Sequence, residues 1–217
     1  MLDDLHVRGF GTSHGCVRVA GVDEVGRGPL AGPVVAAAVI VPEGVRQQLM
    51  TLAGDSKVLS EKRRLVVDGL VREHCVWGIG EASVEEIDTV NIRNATFLAM
   101  RRALMVLGEH DGVVVDGNAR IPEVVCPQVA VVGGDRIELA VACASVVAKV
   151  YRDALMGRLA EAFPHYGWHS NAGYGAKVHM EALQTHGATI HHRKSFAPVR
   201  LVIEAGQQES VFDGRAA

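Results

Sequence analysis

The chain alternates short, nearly continuous apolar runs with longer stretches in which apolar residues recur at helical spacing. Residues 17–22, 33–41 and 75–83 are β-rich segments joined by Gly or Pro turns, and they predict three strands that pair antiparallel at the start of a sheet. Residues 112–116 are apolar up to a final Asp, which is typical of a central strand buried on both faces. A further apolar segment follows at residues 124–132.

Helical periodicity accounts for most of the remaining sequence. Apolar stripes with suitable ends predict helices at residues 61–73, 91–107, 138–163 and 177–185. The two ends of the chain show no such pattern, and we expect both to be mobile. The length of 217 residues therefore indicates one α/β core with a small appendage.

An acidic pair stands at the end of the first predicted strand. Asp23 and Glu24 are followed at once by the turn Gly26-Arg27-Gly28. Two carboxylates this close repel each other, and a hard divalent cation such as Mg²⁺ relieves that repulsion. The glycines let backbone N–H groups approach a ligand, and Arg27 supplies a charged fork for phosphate. A surface turn with an incidental acidic pair is the alternative interpretation.

Further carboxylates follow later elements. Asp116 ends the predicted central strand, where its side chain either reaches the edge of the sheet or only forms a turn. Asp135 precedes the long predicted helix and is either a charge partner for the helix N-terminus or a fourth metal ligand. Asp153 lies one turn from Lys149, so a structural ion pair is the simpler interpretation there.

Aromatic residues, histidines and glycines concentrate after residue 163. Tyr174 lies between two glycines, and its open ring suits stacking on a base or sugar. A loop held down by buried aromatic side chains is the alternative. Lys57 and Arg193 belong to basic clusters that are candidates for phosphate contact. Because no cysteine accompanies the adjacent histidines before Arg193, a basic anion-binding patch is favoured over a zinc site.

Composition excludes several classes of protein. With 48% hydrophobic and 22% charged residues the chain has the composition of a globular protein. It has no apolar signal region at the start and no run long enough to span a bilayer, so we expect a cytoplasmic protein without a membrane partner. The four cysteines form no C-x-x-C pair and are expected to be reduced. A net charge of −3 neither favours nor excludes a nucleic-acid partner.

Taken together, these motifs resemble the ribonuclease HII family over residues 19–199. Six blocks carry the resemblance: residues 21–34 (GVDEVGRGPLAGPV), 55–57 (DSK), 115–118 (VDGN), 143–153 (CASVVAKVYRD), 173–175 (GYG) and 192–199 (HRKSFAPV). Residue 58 is Val where many members of this family carry a second Lys, which would weaken phosphate binding slightly and leave the chemistry untouched.

The resemblance implies an α/β protein with an RNase H-like fold, in which helices flank a mixed five-stranded sheet and a helical C-terminal extension follows. We expect a flexible segment at residues 1–16, the catalytic core at 17–163, the extension at 164–204 and a flexible tail at 205–217. The implied activity is an endoribonuclease that cuts the RNA strand of RNA/DNA hybrids and cuts 5′ to single ribonucleotides in duplex DNA. It would use two-metal-ion catalysis, leave 3′-hydroxyl and 5′-phosphate ends, and serve primer removal and ribonucleotide excision repair.

The resemblance also assigns residues. It implies that Asp23, Glu24, Asp116 and Asp135 hold Mn²⁺ or Mg²⁺, with Asp153 left open as the fourth carboxylate instead of Asp135. It implies that the turn formed by Gly26, Arg27 and Gly28 reads the ribose 2′-hydroxyl at an RNA-to-DNA junction. Tyr174 would stack on the next deoxynucleotide, and a monomer is expected.

Three rivals stay open at this stage. The sister family ribonuclease HIII carries an extra N-terminal domain, which the 22 residues before Asp23 do not provide. A catalytically silent hybrid-binding protein would lose a carboxylate, and a resolvase or transposase-like nuclease would use the same fold for other substrates. Residues 208–212 (QESVF) faintly resemble the short peptide that binds bacterial sliding clamps, so a weak clamp contact is a further expectation.

Overall fold

A computed structural model describes residue 2, residues 4–53 and residues 59–213. The strands are β1 Val19–Val25, β2 Val34–Ile40, β3 Val76–Ala82, β4 Gly112–Asp116 and β5 Gln128–Val131. The helices are α1 Leu5–His14, α2 Glu43–Ala53, α3 Glu61–His74, α4 Val84–Leu107, α5 Leu139–Ala162, α6 Trp168–Asn171, α7 Lys177–His186 and α8 Ala197–Asp213. Short 3-10 turns lie at Gly134–Arg136 and Pro164–Tyr166.

The strands form one sheet in the order β3-β2-β1-β4-β5. β1 pairs antiparallel with β2 and parallel with β4, and β4 pairs parallel with β5. The expected fold class, a mixed five-stranded sheet flanked by helices, is thereby confirmed. The apolar residues of β4 are fully buried, which explains why this strand reads as an uninterrupted apolar run.

The chain divides into two compact units. The first comprises Met1–Val25, Val35–Glu81 and Thr96–Arg152, and contains nearly all of the sheet. The second comprises Gly26–Val34, Ala82–Ala95 and Asp153–Ala217. The loop between β1 and β2 thus belongs to the second unit together with the C-terminal helices, whereas the sequence suggested domains that are continuous along the chain.

Helix α5 lies directly on β1 in the first unit, and Gly21 makes this approach possible. A Cβ atom at Gly21 would lie 2.3 Å from the backbone carbon of Ala140 and 2.3 Å from the backbone nitrogen of Val141. Such distances leave no room for any side chain. Because Asp23 is two residues further along the same strand, this contact also fixes where its carboxyl group stands relative to α5.

We therefore predict that Gly21→Ala lowers the free energy of unfolding by about 3 kcal/mol, the upper range for an overpacked site. Urea denaturation followed by circular dichroism measures it. Gly69→Ala is the matched control, because Gly69 is exposed in α3 and a Cβ atom there would meet open space. That control should gain about 0.5–1 kcal/mol from helix propensity. Equal stability of both variants would contradict the close approach at Gly21.

The N-terminal segment, which the sequence pattern suggested to be mobile, contains α1, and α1 and α5 cap each other. The Glu138 carboxylate accepts hydrogen bonds from the backbone N–H groups of His6 and Val7 at the start of α1. In return, Asp4 accepts from the N–H of Leu139 at the start of α5 and forms an ion pair with Arg46. The capping partners are more than 130 residues apart, so no local sequence signal announces them.

Other elements also differ from the sequence-based expectations. Helix α2 was not predicted, and α4 begins before residue 91 with a break at Asn91, whose φ of 68° lies in the left-handed region. The backbone of α8 stays helical to Asp213, through residues expected to form a flexible tail.

The cysteines of the described residues are free thiols. Across the described residues, no helix combines the length and apolar character needed to cross a membrane.

Candidate active site

The register of parallel strands brings two of the predicted carboxylates together. In the β1–β4 pair, Val22 lies opposite Val115. Asp23 and Asp116 are the next residues of the two strands; Asp116 ends β4, and Asp23 lies two residues before the end of β1. The charge of Asp116 acts on the pKa of Asp23, which shows that the two side chains are close. Neighbouring strands are about 4.8 Å apart, so the two side chains stand close enough to share one ligand. The two residues are far apart in the chain, yet strand pairing makes them neighbours.

Asp23 is in an unusual electrostatic environment. Its side chain is only 6% exposed. Burial raises its pKa to about 8, and the negative charges of Glu24 and Asp116 contribute to the rise, while hydrogen bonds from Ser145 and from the N–H of Glu24 act in the opposite direction. The N–H of Glu24 donates to Asp23 Oδ1 over 2.7 Å. The carboxyl group is therefore costly to ionise unless a positive charge compensates it.

Asp135 joins this group through the loop after β5. Asp116 Oδ1 accepts a hydrogen bond of 2.7 Å from the N–H of Gly134, which ties the end of β4 to the 3-10 turn that carries Asp135. Burial raises the pKa of Asp135, and the charge of Asp116 raises it further, whereas Arg136 lowers it. Asp135 thus belongs to the same unit as Asp23 and Asp116 and is coupled to Asp116, whereas Asp153, the alternative fourth carboxylate, belongs to the second unit.

Ser145 is a site residue that sequence reasoning did not single out. It lies in α5, and its side chain hydrogen-bonds to Asp23. The contact depends on the close packing of α5 on β1 described above. A polar residue inside an otherwise apolar helical stretch was the available signal, since the residues around it are Ala and Val.

The donor set suits a hard divalent cation. Among residues 4–53 and 59–213, no three His, Cys, Asp or Glu side chains are already gathered as ligands of one ion. Mg²⁺ does not require such a cage, since it usually takes one or two carboxylates and completes its shell with water and substrate phosphate. The adjacent carboxylates Asp23 and Asp116, with the raised pKa of Asp23, provide that minimal set. The assignment of four metal ligands remains a prediction.

We expect Mg²⁺ or Mn²⁺ to raise the melting temperature by about 5 °C at saturating concentration, because an ion that binds only the folded state stabilises it. The rise should be larger at pH 8 than at pH 5, where the ion must displace the proton held by Asp23. Differential scanning fluorimetry in matched ionic strength, with EDTA as the reference, measures this. A shift of equal size at both pH values would contradict binding through ionised Asp23.

The second unit holds the other predicted substrate contacts. Gly26 is buried with φ of 90°, a conformation that favours glycine, and Arg27 and Gly28 are exposed. Tyr174 is 48% exposed, and a Cβ atom at Gly28 would lie 3.4 Å from its Cε1. The tyrosine ring therefore lies against the turn. Lys57 lies outside the described residues.

Arg193 and His192 are not part of an exposed basic patch. Both side chains are fully buried. The Arg193 guanidinium donates to the carbonyl oxygens of Gly26, Arg27 and Gly32, so it supports the shape of the turn. Its predicted direct contact with substrate has no support in this geometry. Sequence reasoning missed the change of role because charge alone does not reveal burial.

These features define the class of the protein: a protein with the RNase H-like fold, in which Asp23 and Asp116 lie on adjacent strands of the mixed sheet. Residues 20–199 match the ribonuclease HII family, and the chain belongs to that family. Its members are metal-dependent endonucleases that hydrolyse RNA in RNA/DNA hybrids, and the chain is an enzyme of that kind.

One curated relative is similar in sequence, and two solved structures are similar in fold. The chain is 57% identical over 183 residues to ribonuclease HII of Paramagnetospirillum magneticum, covering 83% of this chain and 90% of the relative. The structure of ribonuclease H2 from Pyrococcus horikoshii OT3 has a TM-score of 0.71 at 21% identity, covering 88% of this chain and all of that one. A chain of the PCNA:RNase HII complex from Archaeoglobus fulgidus has a TM-score of 0.63 at 25% identity, and the match covers 82% of this chain and 94% of that one.

Proposed function

We propose that this enzyme cuts 5′ to single ribonucleotides embedded in duplex DNA as well as within RNA/DNA hybrids, leaving 3′-hydroxyl and 5′-phosphate ends. The observation that supports the proposal is the parallel β1–β4 pairing, which ends at Val22 and Val115, together with the effect of the Asp116 charge on the pKa of the next residue of β1, Asp23. Such a product would be the entry point for removal of misincorporated ribonucleotides and of RNA primers.

The carboxylates would serve hydrolysis as metal ligands. Asp23, Glu24, Asp116 and Asp135 would hold Mg²⁺ or Mn²⁺, and the ions, when bound, would supply activation of water and neutralisation of the phosphate charge. The chain's own residues orient these ligands. Ser145 holds the Asp23 side chain, and the N–H of Gly134 holds Asp116. No nucleophilic side chain is needed, because water attacks the phosphorus.

The turn and the tyrosine would select the substrate. The 2′-hydroxyl is the group that distinguishes RNA from DNA at a given nucleotide. Gly28 and Arg27 are exposed on a turn whose backbone is fixed by Arg193, so their polar groups are pre-oriented for such a hydroxyl. Tyr174 presents a half-exposed ring beside them for stacking on the next sugar or base. In sequence, this turn begins two residues after Glu24.

A substrate panel tests the proposal. The purified enzyme is given a duplex with one ribonucleotide, a long RNA/DNA hybrid and a four-way DNA junction, each with Mg²⁺ and with Mn²⁺ separately. We expect cutting of the first two, with 5′-phosphate ends identified by ligation. Cleavage of the junction alone would support a resolvase, and tight binding of the hybrid without cleavage would support a silent binding protein.

We predict that Tyr174→Ala lowers kcat/KM on the single-ribonucleotide duplex about 5- to 100-fold, which is the range expected for loss of one stacking contact. Stability should change little, because the ring is half exposed. Tyr174→Phe is the matched control and should retain most activity if stacking is the role. Unchanged kinetics of Tyr174→Ala on that duplex would rule out the stacking contact.

A sliding clamp is a further proposed partner, through residues 208–212. Its support is the tail sequence and the PCNA complex formed by the Archaeoglobus relative. Calorimetric titration of a bacterial clamp into the full chain and into a chain ending at residue 206 tests it. Equal heats in the two titrations would exclude the tail as the contact.

A further inference from the structure

Two adjacent buried residues, His192 and Arg193, connect to the Gly26-Arg27-Gly28 turn and to Tyr174: Arg193 contacts the turn directly, and His192 is linked to Tyr174 through His179. Arg193 contacts the turn through its side chain and the loop after it through its backbone, since its N–H donates to the carbonyl of Leu30 over 2.9 Å. An isolated bridge then places Ala31 opposite His192. The segment before α8 therefore lies along the loop that follows the turn.

The Arg193 guanidinium donates to backbone carbonyl oxygens from all three of its nitrogens. Nη2 donates to Gly26 over 2.5 Å and to Gly32 over 2.8 Å, Nη1 donates to Arg27 over 2.8 Å, and Nε donates to Gly32 over 3.0 Å. Its outer face lies 5.1 Å from the centre of the Phe196 ring. A planar fork that binds carbonyls from both ends of one loop sets the distance between those ends, which a lysine with a single ammonium group cannot do.

His192 reaches the tyrosine through a second histidine. His179 Nδ1 lies 2.8 Å from the carbonyl oxygen of Tyr174, so that nitrogen must carry the proton. His179 Nε2 is then the acceptor, and its single lone pair is shared by the N–H groups of Trp168 Nε1, at 3.1 Å, and His192 Nε2, at 3.0 Å.

The same reasoning assigns the protons of His192. Its Nε2 carries the hydrogen donated to His179, and its Nδ1 accepts from the N–H of Thr189 over 2.9 Å. Every ring nitrogen of the pair is thereby satisfied with both rings neutral. The result is a one-directional chain of hydrogen bonds from Thr189 through His192 and His179 to the Tyr174 carbonyl.

We propose that His192 and Arg193 are positioning residues that set the Gly26-Arg27-Gly28 turn and Tyr174 relative to each other, and thereby set the preference for an RNA-to-DNA junction. The inference rests on the proposed function of the turn and the tyrosine. Neither residue contacts substrate, because both are fully buried and their polar atoms are bound within the protein.

A matched pair of variants at His179 tests the hydrogen-bond chain. Asparagine places an amide where Nδ1 stands and keeps the donor to Tyr174, whereas glutamine places one where Nε2 stands and loses that donor. We expect His179→Gln to lower the ratio of kcat/KM on the single-ribonucleotide duplex to kcat/KM on a long hybrid at least 10-fold. We expect His179→Asn, which keeps the donor to Tyr174 but loses the link to His192, to lower that ratio by about 3-fold, less than His179→Gln does. Exposed His169→Asn is the surface control and should keep the wild-type ratio.

Arg193→Lys tests the other half of the proposal. It keeps the charge and loses the fork, so the same ratio should fall at least 10-fold, mainly through a higher KM for the junction duplex, while kcat on the long hybrid changes little. A folded Arg193→Lys or His179→Gln variant with the wild-type ratio would overturn the proposal. A wild-type enzyme that cuts neither substrate would instead overturn the proposed function.

The wild-type protein alone provides a test that does not depend on a variant folding. Two-bond ¹H–¹⁵N correlation spectra report which ring nitrogen of each histidine carries the proton. We expect the Nδ1–H form for His179 and the Nε2–H form for His192 at pH 7.5. The opposite form for His179 would remove the donor to Tyr174 and overturn the proposal, whether or not the enzyme is active.

Discussion

Asp116→Asn is expected to abolish cleavage, with kcat at least ~1,000-fold lower on every substrate, because it removes one charge from the pair that would hold the metal ion. The fold should persist, since the asparagine oxygen can still accept the hydrogen bond from the N–H of Gly134. The pKa of Asp23 should fall below about 8, because the charge of Asp116 contributes to raising it. Single-turnover kinetics measures the first effect, and a ¹³C carboxyl titration measures the second.

Glu109→Gln is the matched control for this variant, because it also removes one negative charge at an exposed position elsewhere in the first unit. It should cleave as the wild type does. Full activity of Asp116→Asn with Mg²⁺ or Mn²⁺ would exclude this carboxylate from the site. A loss of activity together with a lowered melting temperature would instead indicate a structural role at the end of β4.

The second large effect concerns acid stability. Burial lowers the pKa of His192 to about 4, and His179 and His191 beside it contribute to the lowering, against an ordinary value of 6.5 in the unfolded chain. The folded state therefore resists a proton that the unfolded state accepts. The neutral His192 therefore contributes fully to the free energy of unfolding above pH 6.5. As the pH falls toward 4, the free energy of unfolding decreases by up to about 3 kcal/mol.

The pH dependence of the whole protein also contains the opposite contribution of Asp23. Its pKa, raised from 3.8 to about 8, stabilises the fold fully below pH 3.8, and that contribution is lost progressively as the pH rises from there to 8. The comparison must therefore be between wild type and His192→Gln, which keeps the donor to His179 and does not titrate. Urea unfolding at pH 7 and pH 4.5 should show the wild type losing more stability than the variant. Parallel losses would show that His192 is not held neutral.

The histidine pair also shows which properties a local sequence pattern can predict and which it cannot. The sequence favoured a basic anion-binding patch around His191, His192 and Arg193. That expectation was wrong for His192, which is buried against Trp168 and His179. Charge and polarity are properties of a residue, whereas burial is a property of its neighbours. A sequence without known neighbours therefore cannot separate an anion-binding histidine from one that relays hydrogen bonds inside the protein.

Most strands and helices, the acidic residues at strand ends, the glycine turn and the family could all be predicted from the amino-acid sequence, because each depends on residues close together in the chain. The β1–β4 pairing that brings Asp23 close to Asp116 became visible only in the folded chain, as did the burial of Arg193 against carbonyls as far as 167 residues away. Strand pairing and burial depend on packing between segments that are distant in the chain. The free energy that stabilises this packing comes from the whole core, so no short stretch of sequence can predict it.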